Sequence, residues 1–582
     1  MNNVLRGTIS AVEDEGRRLR AEFHRADGPR GRRGSAPIDT EIEEALRTQL
    51  QALVPCRFAG EETGVSPAAK PGHDEWLWLV DPHDGTYEFL QGRRGSAVSV
   101  ALLRANVPVL GVVCSPLSPD RGWDTIACAE GAALTRNGVP VERSSSAASF
   151  IWATASSAAR PVTFSHAAHP ARYVAMPSIA YRLARVAAGD GAATLSTHEV
   201  NEYDYAAGMA LVRAAGGVLL DAQGNELALE GDPTRRVSGV FAGDREVAAR
   251  LCAFSWKALE DEPRRAVRVP LAFPRRDDEA RRSRATGCLL GQVIGDSLGS
   301  RVEGRSAADI AREFPRGVRD LADGGPYHTI AGQPTDDSEM ALALSRFLIE
   351  RKSFSKEELL GRYRDWLQTR PIDVGATTER GLLGLHTSES ESNGSLMRVA
   401  PIGVWACGDP ARAASAARED SALTHPNPAC VEACAGYAAA IAAAVAGASR
   451  DEMVAVALAH ASGPARTAIE RGASGEKPAD FQSRMGWVLI ALQNAFFRLR
   501  TQGFEPALVD TVGCGGDTDT NAAIAGALLG AAHGREAIPS RWILPVLACR
   551  PLAEAGALRP RPMDYWPDDI LDVAEALLHA AP

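Results

Sequence analysis

Up to about residue 250 the sequence alternates short apolar runs with helix-period segments, and after Ala285 the strand signals stop. A chain that changes period in this way does not close one layered sheet around one core. It calls for a mixed α/β part and a separate all-α part. Length agrees: 582 residues imply two to four domains at roughly 100–200 residues each. The runs 76–80 (WLWLV), 98–103 (VSVALL) and 109–113 (VLGVV) are predicted as buried strands. A helix over 205–215 should stop at Gly216-Gly217, with a strand over 218–220 and a turn at Asp221 to Gly224. Further helices are predicted over 340–349, 357–367, 430–445, 485–499 and 521–532, many of them Ala-rich. The stretch EDEPRRAVRVPLAFPRRDDEARRSR is dense in charge and proline and reads as an exposed connection. The expected organisation is a layered α/β domain over 1–255, a linker over 256–283 and an all-α domain over 284–582. No repeat of fixed period is present.

Composition narrows the function classes. Lys+Arg number 63 against 73 Asp+Glu, a net charge of −10, so no basic surplus points to nucleic acid. The ten cysteines have no zinc-ligand spacing and read as reduced thiols, which makes a cytoplasmic protein the expectation. The opening MNNVLRGTIS lacks the apolar core of a signal peptide. The longest apolar stretch, 435–447, is about 13 residues, short of the roughly 20 that span a bilayer. No membrane association is expected.

In the first half, Asp81-Pro82-His83-Asp84-Gly85-Thr86 follows the WLWLV strand directly. Two carboxylates at a strand end offer hard oxygen ligands suited to Mg²⁺. The N–H groups of Gly85 and Thr86 open a helix, where a phosphate can be held. Gly60-Glu61-Glu62 stands upstream, and Asp204 precedes the helix that ends at Gly216-Gly217. DPxDG alone is a common turn composition, and it is the added acidic elements that turn the reading toward chemistry.

This constellation resembles the inositol monophosphatase family, in particular its 3′(2′),5′-bisphosphate nucleotidase branch. The resemblance runs over about 1–250, from Asp39 and Glu43 through GEE and WLVDPHDGT to Asn137-Gly138 and YDYAAGMALVRAAGG. It implies an alternation of helix and sheet layers and two or three Mg²⁺ ions held by Glu61, Asp81, the carbonyl of His83, Asp84 and Asp204. Thr86 and Glu61 match the pair that orients the attacking water. His83 replaces the usual Ile or Leu, and Tyr203 stands where Trp is usual. Tyr87 and Gly95-Ser96-Ala97 depart from the nucleotidase branch, which leaves the substrate open.

In the second half stand Gly295-Asp296-Ser297-Leu298-Gly299 with Glu303, Thr335-Asp336-Asp337, Ser392-Asn393-Gly394 and Gly515-Gly516-Asp517-Thr518-Asp519-Thr520. The two Thr/Asp runs sit at expected helix starts, where capping alone would account for one of them. Carboxylates this dense repel unless a cation neutralises them. An oxygen-only set selects Mg²⁺, with Mn²⁺ compatible, over zinc.

These segments resemble the ADP-ribosylglycohydrolase family, over about 284–575. The resemblance implies a binuclear Mg²⁺ centre on Thr335, Asp336, Asp337, Asp517, Asp519 and Thr520. Glu303 matches the acidic residue that handles the proton, with Asp337 also in the catalytic set. Asn393, Gly394, Gly515 and His425 match segments that line the ADP-ribose site, although a lone histidine is more often simply packed. Gly85 is the corresponding substrate contact of the first half.

The function expected is a bifunctional Mg²⁺-dependent hydrolase. Its first half would cleave a phosphomonoester of a nucleotide or sugar phosphate. Its second half would cleave the N- or O-glycosidic bond of a free or protein-linked ADP-ribose substrate. Nucleic acid enters only as an ADP-ribosylated substrate, and a homodimer is compatible with the sequence. The alternatives are a catalytic second half with a binding or dimerising first half, and a non-catalytic binder of ADP-ribosylated targets such as an immunity protein.

Overall fold

The computed structural model describes all residues except 33, 71, 74, 143–149, 272, 274, 276, 277, 386, 387, 581 and 582. The chain divides into two compact units, Met1–Val267 with Leu271–Asp277, and Arg268–Pro270 with Asp278–Pro582.

Unit 1 stacks helices and sheets in five layers. An eight-stranded sheet runs in the order Gly64–Ser66, Arg57–Gly60, Trp76–Asp84, Ala97–Arg104, Val107–Ser118, Gly122–Ala129, Thr135–Arg136 and Val139–Pro140. All its pairings are antiparallel except Arg57–Gly60 with Trp76–Asp84, which is parallel. That parallel register sets Gly60 beside Val80, so the next residues lie side by side, Glu61 just past its strand and Asp81 still paired with Ser99 on the other edge. Helices Asn2–Phe23 and Pro37–Leu53 cover one face, and Val12, Leu19, Ile42 and Leu46 meet Trp78, Val100 and Val112 in a closed core. Helices Ile179–Ala187 and Glu202–Ala214 fill the space to a five-stranded sheet. Its order is Arg172–Ala175, Phe150–Ala153, Ala193–Asn201, Arg236–Gly243 and Val218–Leu220. Helices Pro161–Ala168 and Arg245–Ala253 close the far side. The four predicted strands form, and the first and third run on past their apolar stretches.

Unit 2 is helical throughout. Its centre is the antiparallel pair Glu279–Gly299 and Thr518–His533. A residue every four along the first helix is glycine, so one face carries no side chain. A Cβ at Gly291 would lie 2.1 Å from the carbonyl oxygen of Gly526, and one at Gly295 equally close to that of Ala522. The two backbones therefore touch, which brings Asp296 and the 517–520 segment to one end of the pair. Helix Pro428–Ala446 packs across them, its Tyr437 hydroxyl donating to the Ile524 carbonyl at 2.8 Å. This helix is longer than the apolar stretch read from sequence. It is long and apolar enough to cross a membrane, yet 83% of its apolar window is buried within the fold.

Two expected helix starts need correction. The helix read over 485–499 begins at Val488. Gly486 adopts φ +79° and its carbonyl accepts the Asn393 N–H at 2.9 Å, so the start of the apolar run forms a loop wall instead. The helix that carries Asp204 starts at Glu202, so Asp204 lies inside its first turn rather than before it. The segment read as a linker is also not free of packing. Trp256 and Leu259 pack on the second core of unit 1, Phe273 packs on the first, and Arg268 donates to the Met563 carbonyl at 2.7 Å within unit 2. Positions 272, 274, 276 and 277 of that segment lie outside the described residues. All ten cysteines are free thiols.

Candidate active sites

In unit 1 the register slips between Asp81 and Asp84 against the neighbouring strand, and this bulge turns both carboxylates to one end of the sheet. Gly85, at φ +100°, makes the reversal into the short helix Thr86–Leu90, a conformation only glycine adopts without strain. Carboxylate oxygens of Asp81, Asp84 and Asp204 lie within 4.8 Å of one another.

Each acid is held from behind. Asp84 Oδ2 accepts from Ser178 Oγ at 2.6 Å and from the Ala180 N–H at 2.7 Å. Asp204 Oδ2 accepts the Asn201 N–H at 2.6 Å. Asp81 Oδ1 accepts the His83 N–H at 2.9 Å. Asp81 Oδ2 is buried with no donor facing it; Glu61, Asp84 and Asp204 face it instead. Burial and then its acidic neighbours, Asp204 first, push Glu61 up to about 8. Burial and Asp84 push Asp204 up to about 7, and Asp81 is held well above the carboxylate range for the same reasons. Glu43 closes the Glu61 turn by accepting the Glu62 and Thr63 N–H groups at 2.8 and 2.7 Å.

Unit 2 builds its site from helix ends. Asp296, buried at the end of Glu279–Gly299, accepts the Thr335 and Ser338 N–H groups at 3.1 Å and so caps helix Asp336–Arg351. The Thr335 hydroxyl lies between Asp296 Oδ1 at 2.9 Å and Asp337 Oδ2 at 3.1 Å. Glu303 caps the second helix, Thr518–His533, all through Oε2. It accepts the Thr518 N–H at 2.6 Å, the Thr518 hydroxyl at 3.1 Å and the Asp519 N–H at 3.4 Å. Glu303, Asp517 and Asp519 form the second group of carboxylates within 4.8 Å. Asp337 faces it across the gap, and its Oδ1 is buried with no donor. Burial and mutual repulsion hold Asp336, Asp337 and Asp519 well above the usual carboxylate range. Burial pushes Asp296 up to about 6, opposed by its bonds to Ser338 and Thr335.

The remaining expected residues divide. Asn393 Nδ2 donates to Asp517 Oδ2 at 2.7 Å, which places it in the site. The Thr520 N–H donates to Asp519 Oδ1 at 2.9 Å and steadies it. Asp336 accepts the Gly375 N–H at 3.3 Å and faces Asp373 and Asp296. A Cβ at Gly515 would lie 2.6 Å from the Arg305 carbonyl, so this glycine serves close backbone packing. His425 is buried behind the 392–394 turn, with Nδ1 on Thr424 Oγ1 at 2.7 Å and Nε2 on Ser392 Oγ at 2.9 Å. Burial and Arg398 hold it down at about 3, so it supports the turn as a neutral ring rather than facing a ligand.

Two residues escaped the sequence reading. Asp373 accepts the Tyr327 hydroxyl at 2.8 Å beside Asp336. Asp296 stood within a quoted motif but was given no role. Neither belongs to a dense acidic run, so no local signal marks them.

The fit to a divalent cation follows from these facts: oxygen donors only, held rigidly, with a buried carboxylate oxygen in each site that no donor satisfies. Comparisons with known proteins agree on both halves. The ADP-ribosylglycohydrolase model matches residues 277–581, and the inositol monophosphatase family model matches 17–260. An ADP-ribosyl-dinitrogen reductase glycohydrolase of Rhodospirillum rubrum is 32% identical over 274 residues, 45% of this chain and 89% of that protein. The ADP-ribosylarginine hydrolase Tri1 of Pseudomonas putida is 27% identical over 45% of this chain and 73% of its own length. The probable inositol 1-monophosphatase ImpA of Mycobacterium tuberculosis is 30% identical over 37% of this chain and 82% of its own length. The protein is a hydrolase with two unlike domains. It belongs to the ADP-ribosylglycohydrolase family, with that domain fused behind an inositol-monophosphatase-like one.

Proposed function

We propose that both sites are Mg²⁺-dependent and active. The second would release ADP-ribose from a glycosidic linkage, and the first would hydrolyse a phosphomonoester of a nucleotide or sugar phosphate. The observation that carries this reading is the pair of rigid carboxylate clusters, each with an unsatisfied buried oxygen. Two ions in unit 2 and two or three in unit 1 suit the number of donors. Bound there, Mg²⁺ would neutralise charge on phosphoryl or ribose oxygens and on the leaving group.

The chain's own groups supply the rest. In unit 1, Thr86 and Glu61 would position the attacking water, while the Gly85 turn leaves room for the phosphate. In unit 2, Asn393 would fix the ribose side of the cleft through its hold on Asp517. Glu303, raised by burial and then Asp517, would transfer the proton as the bond opens through an oxocarbenium-like state. The acceptor is tested with arginine first, since one relative is named for that linkage.

The test is a substrate panel on the full chain with Mg²⁺: ADP-ribosyl-arginine, ADP-ribosyl-serine, inositol 1-phosphate and adenosine 3′,5′-bisphosphate. At least one ADP-ribosyl compound and one phosphomonoester should turn over. Turnover of neither class would overturn the proposal.

A further inference from the structure

The side chain of His83 has no part in the ligand set implied for unit 1, where only its carbonyl is used. Yet the ring is buried and directed, with Nδ1 2.7 Å from Asp39 Oδ1. Asp39 accepts, so Nδ1 carries the proton. Phe89 packs edge-on against the ring at 4.4 Å between centroids, which fixes its plane. The other oxygen of Asp39, Oδ2, takes the Ala36 N–H and the Thr86 hydroxyl, both at 3.3 Å.

The Thr86 hydroxyl has one proton and two acceptors: Asp39 Oδ2 and, at 2.8 Å, the carbonyl of His83 itself. One residue therefore sets both. Its backbone supplies the nearer acceptor, and its ring holds the carboxylate that supplies the other. With the proton directed inward either way, the lone pairs of Thr86 Oγ1 are left to accept from a water in the cleft. A Leu or Ile at 83, usual in the family that this half resembles, would fill the space but leave Asp39 Oδ1 without that donor.

We propose that the His83 ring is a positioning residue that acts through Asp39 to orient the Thr86 hydroxyl for the phosphoester reaction. The inference rests on the phosphatase reading above. A hydrogen bond to a charged acceptor is worth enough that its loss should lower turnover roughly 10- to 100-fold. It should do so without moving KM or divalent-cation affinity, because the change is confined to the ring and the backbone carbonyl is kept.

The experiment compares His83→Leu, which fits the site apolarly, with His83→Asn, whose amide can still donate to Asp39. Both are measured alone and combined with Thr86→Ala, on whichever phosphomonoester of the panel the full chain cleaves best. His83→Leu should lose kcat, and His83→Asn should recover most of it. Neither should matter once Thr86 is Ala, since coupled residues are non-additive. A second readout needs no turnover: a ¹⁵N-histidine-labelled chain should show a strongly downfield imidazole N–H that vanishes in Asp39→Ala. Full additivity with Thr86→Ala, or no such resonance, overturns the proposal while the phosphatase reading stands. A wild-type chain inactive on every phosphomonoester overturns both.

Discussion

The two sites use the same donor chemistry on opposite scaffolds. In unit 1 three of the acids leave strand ends, where a parallel register and a bulge set them side by side. Only Asp204 comes from a helix. In unit 2 the acids sit at helix starts or cap them from the end of a neighbouring helix and the turn that follows it. There the N–H groups and the positive end of the helix dipole favour negative charge. Even so, burial and crowding raise Asp81 in the first site and Asp337 in the second. Helix dipoles do not offset that much repulsion, which is why both scaffolds lead to the same demand for a cation.

Closeness of backbones is the second shared device, and it offers the sharpest way to break the comparison. Gly291→Leu places a side chain 2.1 Å from the Gly526 carbonyl. The helix pair must part, at about 3 kcal/mol. The thermal transition of unit 2 should fall and ADP-ribosyl release should be lost, while phosphomonoester cleavage persists. The counterpart is Gly111→Val, whose Cβ would lie 2.5 Å from the carbonyl of Ala207, on the helix that carries Asp204. That variant should reverse the pattern.

A smaller effect is read by pH. Carboxylates raised in the fold bind more protons there than in the unfolded chain. With cations chelated, stability should therefore fall as pH rises from about 4 through the raised values, about 6 for Asp296, 7 for Asp204 and 8 for Glu61. Mg²⁺ competes with those protons, so the rise in Tm that it gives should be larger at pH 8 than at pH 5. A pH-independent shift would contradict the cluster electrostatics.

The smallest effect concerns His425. Because burial keeps it neutral, His425→Asn should lower ADP-ribosyl release by about tenfold or less. It should also leave the pH profile between 5 and 8 unchanged. Loss of an ionisation from that profile would return His425 to the reacting groups.

Much of this was legible in sequence where a local run carries the signal. WLWLV ending in DPHDGT marks a strand end and its acids, and TDD and DTDT mark helix starts. The glycine spacing along 287–299 is equally local but went unread, and only the structure shows which helix it meets. What stayed hidden depends on long-range pairing. His83 meets Asp39 across 44 positions, and Asp296 caps a helix 42 positions ahead. The misplaced helix start at 485 has a local cause: its apolar pattern runs on through Gly486, whose turn is set by a partner far back at Asn393.

The central claim is that one chain carries two separately held cation-dependent hydrolytic sites. Asp81→Asn and Asp519→Asn, each in the full chain and each assayed for both activities with Mg²⁺, test it most directly. Each variant should lose its own activity at least ~10²-fold and keep the other within experimental error. Loss of both activities in either variant, or of neither in both, would contradict the account.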